Sequence, residues 1–366
     1  MLRVLHVYKD VHPPVVGGVE KHIDGLRRTM RGVESDVLVC ARAPRTSVRS
    51  VAGGTEIKVA EFGPRWLSLP IAPTFARWMR RLRADVLHVH MPNPLAEGSV
   101  LVARGQRPVV LSYHADIVRQ AGLLPAYRRL VDACLERAAA VVVSSQRIAE
   151  SSPLLVGHAH RVTIIPFGID TEHFDPGRVS EATRTTIRRR YGSPLVVAVG
   201  RLVYYKGFEN LIAAARRLDA SVLIVGDGPW APRLRALARG MDRVHFVGRV
   251  SEPRLVELLA AADSFVLPST SRAESFGVAT LEAQAMALPA VVTDVGTGTV
   301  DAIEPGRTGI AIPPGDPASL AEAIESLLAD PERARAMGEA GRHRVVERHG
   351  LAARVGDMRA LYERVA

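Results

Sequence analysis

Two glutamates, Glu274 and Glu282, stand in RAESFGVATLEAQAMALP, the most chemically specific segment of the sequence. If one helix carries both, a spacing of eight residues puts them on roughly the same face, about 12 Å apart along the axis. That separation is too large for two carboxylates that share one bond to be broken. It suits instead the two hydroxyl-bearing ends of an extended ligand. The alternative is two exposed glutamates on an amphipathic helix.

An anion site is predicted beside these glutamates. Arg201 and Lys206 follow the apolar run Leu195–Gly200, and an Arg fork with a Lys point charge can clamp a diphosphate. The alternative is two solvated loop cations. The segment Ser275, Phe276, Gly277 and Val278 would add free backbone N–H groups at a helix start, where phosphate oxygens bind well.

The first half of the chain offers two weaker signals. Gly17 and Gly18 stand just before a predicted helix that opens with Val19 and Glu20, and a glycine pair there lets backbone N–H groups approach an anion. A tight turn that needs positive φ explains the pair equally well. His114, at the end of a predicted strand, could hydrogen-bond a sugar hydroxyl or line a developing cation, or it could be a structural histidine.

A dinucleotide-binding motif is absent from the glycine-rich segments. Neither GDGP (Gly226–Pro229) nor GTGTVD (Gly296–Asp301) has the G-x-G-x-x-G spacing. A dehydrogenase is therefore disfavoured.

Short β-branched runs alternate with helical patterns from end to end, which predicts an α/β fold with parallel sheets covered on both faces. The predicted strands are Arg3–Tyr8, Val37–Cys40, Glu56–Val59, Val86–His90, Val109–Tyr113, Val141–Ser144, Val162–Ile165, Leu195–Gly200, Ser221–Gly226, Val244–Gly248, Ser264–Leu267, Ala290–Thr293 and Gly309–Ile312.

A polar, Arg-rich stretch without a strand pattern, Pro166–Tyr191, divides these strands into two sets. We therefore predict two doubly wound domains, residues 1–170 and 191–350, joined by a linker at 171–190. A ligand would lie in the cleft where the carboxyl ends of their strands face each other. The amphipathic pattern of 351–366 predicts a final helix that returns to the first domain.

The composition of the 366 residues, 47 % hydrophobic and 23 % charged, is that of an ordinary globular protein. No apolar run is long enough to span a bilayer, and Lys9 and Asp10 precede any signal-peptide core. Two cysteines are too few for a disulfide framework or a thiolate metal site. A reduced cytoplasmic location is the expectation.

The net charge of +10 is concentrated in the first half. Residues 1–170 hold 23 of the 48 basic but only 14 of the 38 acidic residues. This favours an anionic partner such as a membrane surface, a phospholipid-linked acceptor or nucleic acid, unless codon bias toward arginine explains it. With 5 % aromatic residues and no binding module, nucleic acid is the weaker alternative.

These motifs occur together in one known family. The chain resembles, over nearly its whole length, the retaining family 4 glycosyltransferases with the GT-B fold. The resembling segments are GGVE at 17–20, His-x-Asp at 114–116, GRLVYYKGFE at 200–209, VGDGP at 225–229, HFVGRV at 245–250 and ESFGVATLE at 274–282, the last matching an E-x7-E signature.

The resemblance implies a role for each candidate residue. Arg201 and Lys206 would hold the diphosphate of a nucleotide-sugar donor, assisted by Ser275–Val278 and the Gly17–Gly18 loop. Glu274 would bind the sugar hydroxyls and Glu282 the ribose hydroxyls. The remaining donor contacts would be Val250 and Arg254 at the nucleobase, His114 against the sugar, and Asp116 with His114 in the same motif.

The resemblance also implies a metal-independent reaction without a bound cofactor. No carboxylate stands out as a double-displacement nucleophile, so same-face attack by the acceptor hydroxyl is expected. The GTGT form of 296–299 and the run YHADIVRQ at 113–120 look most like bacterial mannosyltransferases that use GDP-mannose to build lipopolysaccharide or related lipid-linked glycans. UDP-sugars and other GDP-sugars remain open.

The acceptor is expected to be a glycan or a lipid-linked glycan. The segment Ile71–Asp85 predicts a basic amphipathic helix that could attach the protein to the inner face of an anionic membrane, or simply pack its apolar side on the first sheet. Two other classes of protein are disfavoured. The sequence supplies neither the acid–base residues of an epimerase nor the pyridoxal lysine of a phosphorylase, and it contains no nucleic-acid-binding module.

Overall fold

The computed structural model describes residues 1–366 except 14, 16, 64, 66–69, 104, 106 and 117–123. The chain divides into two compact units. The first unit comprises Met1–Gly168 with Leu351–Ala366, and the second comprises Ile169–Gly350.

The first unit is built on one sheet with helices between its strands. The strands are β1 Leu2–Val7, β2 Val33–Ala41, β3 Ser47–Val51, β4 Gly54–Ala60, β5 Val86–Met91, β6 Val109–Tyr113, β7 Ala140–Val143 and β8 Val162–Ile164. The helices are α1 Gly18–Thr29, α2 Phe75–Arg81, α3 Pro94–Val102, α4 Leu124–Arg137 and α5 Gln146–Ser151, together with the C-terminal α13 Leu351–Val365.

The second unit alternates strand and helix more regularly. Its strands are β9 Leu195–Val199, β10 Ser221–Val225, β11 Val244–Gly248, β12 Ser264–Leu267, β13 Ala290–Thr293 and β14 Gly309–Ile312. Its helices are α6 Glu181–Tyr191, α7 Phe208–Ala215, α8 Ala231–Leu237, α9 Glu252–Ala261, α10 Val278–Ala285, α11 Pro317–Leu328 and α12 Pro331–His349.

Both sheets are doubly wound, as the alternating pattern predicts. The described strands of the first sheet run β3-β4-β2-β1-β5-β6-β7-β8, and those of the second run β11-β10-β9-β12-β13-β14. All neighbours are parallel except β3 and β4. The strand order reverses direction beside β1 and β5 in one unit and beside β9 and β12 in the other. In open α/β sheets, ligands bind at the carboxyl ends of the strands beside such a reversal.

The segment 171–190, which the sequence suggested as a linker, lies inside the second unit. Ser180 caps α6 by accepting a hydrogen bond from the Thr183 N–H. From α6, Arg184 and Arg188 donate to the carbonyls of Ala260 and Ala261 at the end of α9. The second half of this polar, strand-free stretch is therefore a helix packed on its neighbour rather than an extended connection.

The C-terminal helix α13 packs on the first unit. Val355, Met358, Leu361 and Tyr362 are buried with apolar side chains from the central strands of that unit's sheet. Their spacing along the helix places them on one face, which is the face that the sequence predicts to be apolar.

Candidate active site

The loops after β9 and β12 meet at the reversal point of the second sheet. The Thr270 N–H donates to the Tyr205 carbonyl at 2.8 Å. Gly207 makes this approach possible, because its φ is 65° and a Cβ at that position would collide with the Pro268 carbonyl. The two loops are therefore held against each other by their own backbone.

Lys206 and Glu274 form an ion pair where these loops meet. The Lys206 Nζ lies 2.5 Å from the Glu274 Oε2, and the two side chains are only 12 % and 10 % exposed. Burial lowers the pKa of Lys206, but Glu274, Tyr205 and Glu282 together outweigh that effect and leave the pKa raised. Lys206 therefore remains a cation at neutral pH.

Glu274 is fixed by polar contacts that the sequence did not point to. The Ser269 hydroxyl donates to its Oε2 at 3.0 Å, and the Thr297 hydroxyl donates to its backbone carbonyl at 2.6 Å. The Thr293 hydroxyl donates in turn to the Ser269 carbonyl at 2.5 Å. The carboxylate is thus held in one orientation from two sides.

The prediction that Glu274 and Glu282 share one helix face is wrong. The helix α10 begins at Val278, after Gly277 with φ 79°, so Glu274 belongs to the loop before it. Glu282 is a buried residue inside α10. Both carboxylates nevertheless raise the pKa of Lys206, and Glu274 is in direct contact with it.

The other residues predicted to contact an anion differ in how far they are buried. Arg201 is exposed, and within the described part of the chain no hydrogen bond or ion pair holds it. Ser275 and Val278 are half-buried beside Gly277, and the Phe276 side chain is buried, 6.0 Å from the His349 ring. The first N–H groups of α10 have no partner inside the helix, as at any helix start.

Val250 and Arg254 follow β11, at the far edge of the sheet from β12. Arg254 pairs with Glu257 at 2.6 Å. Its pKa is raised by the hydrogen bond to Glu257 and also by Tyr191. The described contacts of Arg254 are therefore with these two residues, and none of them joins it to Lys206.

In the first unit, His114 follows β6 and is almost completely buried. Burial, and after it the charge of His22, lowers its pKa to about 3. Its Nε2 lies 2.9 Å from the Nδ1 of His90, and its ring stacks on Phe167 with 5.8 Å between centroids. The imidazole is neutral and held in place.

The sequence motifs around Asp116 and the Gly17–Gly18 pair make their described contacts within the first unit. The Oδ1 of Asp116 accepts hydrogen bonds from the hydroxyls of Tyr113 and Ser152 at 2.6 and 2.7 Å. Gly17 has φ −148°, and neither glycine has the positive φ that a tight turn would need. The carboxylate of Glu20 lies against Gly17. Residues 117–120, the end of the His114 motif, lie outside the described residues.

Comparisons with known proteins decide the family. A model of group 1 glycosyl transferases matches residues 180–344, and a model of glycosyltransferase family 4 matches residues 16–173. The chain is 31 % identical to the D-rhamnosyltransferase WbpZ of Pseudomonas aeruginosa, over 92 % of this chain and 89 % of that protein. The chain belongs to the family 4 glycosyltransferases.

Two further relatives are mannosyltransferases. The O-antigen chain mannosyltransferase C of Escherichia coli is 31 % identical, over 94 % of both chains. A GDP-mannose-dependent monoacylated alpha-(1-6)-phosphatidylinositol monomannoside mannosyltransferase of Corynebacterium glutamicum is 29 % identical, over 91 % of both. Sucrose-phosphate synthase from Thermosynechococcus elongatus has the same fold, with a TM-score of 0.86 at 24 % identity, over 100 % of this chain and 99 % of that one. The GT-B fold expected from the sequence is confirmed.

In this glycosyltransferase the apolar side of the basic helix α2 packs inside the first unit. Phe75 and Met79 are buried in the core of the first unit, and Trp78 packs against it. Of the two alternatives for this helix, packing of its apolar side on the first sheet is the one that the structure shows. The arginines of this segment, Arg77, Arg80, Arg81 and Arg83, are all exposed, as is Asp85.

The surface next to α2 also exposes apolar side chains. Phe62 is 76 % exposed, Ile71 is 47 % exposed, and the Phe62 N–H donates to the Ile71 carbonyl at 2.7 Å. An open hollow of about 390 Å³ nearby is lined by Arg42, Ala43, Pro44, Glu61 and Gly63. None of the predicted site residues lines it. No described helix is long and apolar enough to cross a membrane.

Proposed function

We propose that this glycosyltransferase transfers mannose from GDP-mannose to a hydroxyl of a glycan or lipid-linked glycan, with retention of anomeric configuration and without a metal ion. The observation that carries the proposal is the buried Lys206–Glu274 pair at the reversal point of the second sheet. It joins a fixed cation, suited to phosphate, to a fixed carboxylate, suited to sugar hydroxyls.

The donor diphosphate would be held by Arg201, Lys206 and the start of α10. Exposed Arg201 can fold onto a phosphate as a bidentate fork, whereas Lys206 is already placed by Glu274. As the bond between sugar and phosphate breaks, negative charge develops on the leaving diphosphate, and preorganised cations and N–H dipoles stabilise that charge. Loss of one such group raises the barrier by about 3–4 kcal/mol.

Glu274 would accept hydrogen bonds from hydroxyls of the donor sugar, and Glu282 from those of the ribose. Because Ser269 and Lys206 both hold Oε2 of Glu274, its orientation needs no adjustment when the sugar arrives. Val250 and Arg254 would border the nucleobase. The Gly17–Gly18 start of α1, Asp116 and His114 would complete the site from the first unit.

Retention is proposed to come from attack on the face that the diphosphate leaves. The acceptor oxygen bonds to the anomeric carbon as the carbon–phosphate-oxygen bond breaks, and the leaving phosphate takes the hydroxyl proton. The ion pair with Lys206 supports this route, since it makes Glu274 a weak nucleophile. Anomeric analysis of the product by NMR tests it. A trapped glycosyl-enzyme adduct would contradict it.

The choice of mannose and guanosine rests on relatives. One similar protein is named as an O-antigen chain mannosyltransferase and another as GDP-mannose-dependent, while a third is a D-rhamnosyltransferase. We therefore expect calorimetry to give tighter binding of GDP than of UDP, and transfer with GDP-mannose in the presence of EDTA. Preference for UDP would redirect the proposal to UDP-sugars.

Peripheral membrane contact would be electrostatic. The exposed arginines of α2, with Phe62 and Ile71 beside them, would meet anionic headgroups, each basic residue adding about 1 kcal/mol near the surface. Binding to vesicles with phosphatidylserine at low salt, lost at high salt and weakened by Arg77→Glu with Arg80→Glu, is the expected result. A protein that ignores such vesicles would remove membrane contact from the proposal.

The site assignment is tested with a matched pair of lysine variants. Lys206→Ala should lower transfer by 10²–10³-fold on the best donor. Lys58→Ala is the control, because Lys58 forms a similar ion pair with Glu56 at 3.0 Å in the first unit and is not among the residues proposed to hold the donor. Equal activity of the two variants would show that Lys206 does not hold the donor.

A further inference from the structure

A row of imidazoles crosses the centre of the first sheet behind His114. His6 on β1 is paired in register with His88 on β5, and His90 lies two residues further along β5. Alternate residues of a strand share a face, so the three rings share one face. All three are completely buried. Behind them, α13 contributes the hydroxyl of Tyr362, 2.5 Å from the Nδ1 of His88.

A continuous chain of hydrogen bonds joins the rings of His6, His90 and His114. The Nδ1 of His6 lies 3.1 Å from the Nε2 of His90, and the Nδ1 of His90 lies 2.9 Å from the Nε2 of His114. The His90 and His114 rings are within 6° of parallel. The backbone holds His114 as well, because its N–H donates to the Met91 carbonyl at 3.1 Å.

The chain restricts the tautomers of its members. Burial is the main reason that the pKa values of His6 and His114 fall to about 3 and that the pKa of His90 is also well below its ordinary value, so all three rings are neutral at pH 7. A neutral imidazole has one N–H and one lone pair. His90 uses both nitrogens and must donate with one and accept with the other. The three rings therefore have two joint states, all protonated on Nδ1 or all on Nε2.

The inner end of the chain favours one of these states. The Nε2 of His6 is buried and has no hydrogen-bond partner among the described residues. If the rings were protonated on Nε2, this atom would be a buried N–H without an acceptor, and such orphans are rarer in proteins than under-used acceptors. Protonation on Nδ1 leaves only a lone pair there. It also leaves the Nδ1–H of His114 as the ring donor that no described residue uses.

The chain also ends at His6, so it cannot conduct a proton. A proton taken up at His114 would have to leave at the buried Nε2 of His6, where no residue in the described part of the chain accepts it. The three ring nitrogens of His6, His88 and His90 that lie within 4.8 Å of one another could in principle hold a metal. However, both nitrogens of His88 and of His90 are already in hydrogen bonds. The contacts therefore fit a role in which His6 and His90 hold the ring of His114 in position.

We infer that His90, backed by His6, is a positioning residue that fixes the ring orientation and the Nδ1–H tautomer of His114, so that His114 presents a hydrogen-bond donor to an oxygen of the donor sugar. The inference rests on the proposed function for what His114 meets. The tautomer itself does not depend on that function and can be measured without any substrate.

The first test is nitrogen-15 NMR of protein labelled at histidine, with His114→Gln used to assign the His114 signals. We expect a protonated Nδ1 and an unprotonated Nε2 for His114, unchanged from pH 8 to pH 5.5. A protonated Nε2, rapid exchange between tautomers, or a zinc ion retained stoichiometrically by the purified protein would overturn the inference.

The second test separates the two links of His90 with conservative variants. The amide of His90→Asn lies near the former Nδ1 and can keep the bond to His114, whereas the amide of His90→Gln reaches the former Nε2 and keeps only the bond to His6. We expect kcat to fall by about 10–100-fold in the Gln variant, with KM little changed, and the Asn variant to retain most of the activity. Equal activity of both variants would overturn the inference.

A neighbouring substitution controls for general damage to the cluster. Tyr362→Phe removes the hydroxyl beside His88 but leaves the His6–His90–His114 chain intact. It should lower stability without changing kcat or the His114 tautomer, and a changed tautomer would refute the assignment of the chain. If the tautomer is as expected but no nucleotide sugar is turned over, the proposed function fails and the positioning role of His90 stands.

Discussion

Replacing Lys206 by alanine should separate the stability of the second unit from its activity. The variant leaves Glu274 almost completely buried, next to Ser269 as its remaining side-chain donor in the described contacts. Breaking a buried pair from one side costs about 3–5 kcal/mol, because the other charge stays uncompensated. Since both side chains keep a little solvent contact, we expect the lower end, about 3 kcal/mol.

A double variant, Lys206→Ala with Glu274→Gln, sharpens the prediction. The second change removes the unpaired charge, so stability should return by about 2 kcal/mol relative to the single variant. For a unit of this size, that corresponds to a rise in Tm of about 4–8 °C. Activity should not return with it, because both groups proposed to hold the donor are now lost.

Thermal unfolding followed by circular dichroism, together with transfer at saturating donor, measures both quantities. Lys206→Ala should have low Tm and activity reduced 10²–10³-fold, and the double variant should have higher Tm and activity at least as low. If Lys206→Ala is as stable as the parent, the buried pair is not the strong interaction that its 2.5 Å geometry implies. If activity follows Tm in both variants, Lys206 acts only through folding.

Three other changes test the packing of the two units. Gly207→Ala should cost more than 2 kcal/mol, because φ there is 65° and its Cβ would meet the Pro268 carbonyl; an unchanged Tm would contradict the close loop contact. Gly356→Ala, inside α13 with open space around it, should instead stabilise by about 0.5–1 kcal/mol, and urea titration measures the difference. Stability should also fall as pH drops below about 6.5, because burial lowers the pKa of His6 and His114 to about 3 and the unfolded chain then binds more protons. Each histidine adds a slope of up to about 1.4 kcal/mol per pH unit, so a Tm that is flat from pH 7.5 to 5.5 would show that these rings are not buried as neutral groups.

The strands were predictable because burial on both faces leaves a simple signature. Apolar runs such as Leu195–Gly200 and Ala290–Thr293 match β9 and β13 closely. The edge strand β3 was missed, since Ser47–Val51 is exposed for most of its length and antiparallel to β4. An edge strand with mixed polar residues has neither the apolar run nor a buried face to reveal it.

The sequence located the start of α10 within 275–278, but placing Glu274 on the same helix as Glu282 was wrong for a different reason. The segment from Glu274 to Glu282 holds residues that a helix accepts, and nothing in its pattern of types marks the loop apart from one glycine. Gly277 adopts φ 79°, and its neighbour Leu267 leaves no room for a side chain. Tertiary contact with the end of β12, which the sequence does not display, decides where the helix begins.

The two glutamates converge on Lys206 even though the helical argument for their spacing fails, and topology explains why. In the described sheet β9 and β12 are neighbours, so the loop that carries Lys206 and the loop that carries Glu274 must leave the same edge at adjacent positions. The eight residues then comprise the end of this loop and the first turn of α10, and the charge of Glu282 adds to that of Glu274 in raising the pKa of Lys206. A motif read along the chain can thus predict which residues meet while misstating the element that joins them.

For the histidine chain, in contrast, the sequence contained a pattern from which the contact among the histidines could have been predicted. His88 and His90 alternate with apolar residues inside the fully buried strand β5, and His6 occupies the same face of β1. Polar residues that recur at every second position of such a strand must find partners in the sheet itself, because no water reaches them. That requirement alone predicts contact among His6, His88 and His90. Only the structure shows that the contacts continue to His114, since that last link depends on how the chain turns after β6.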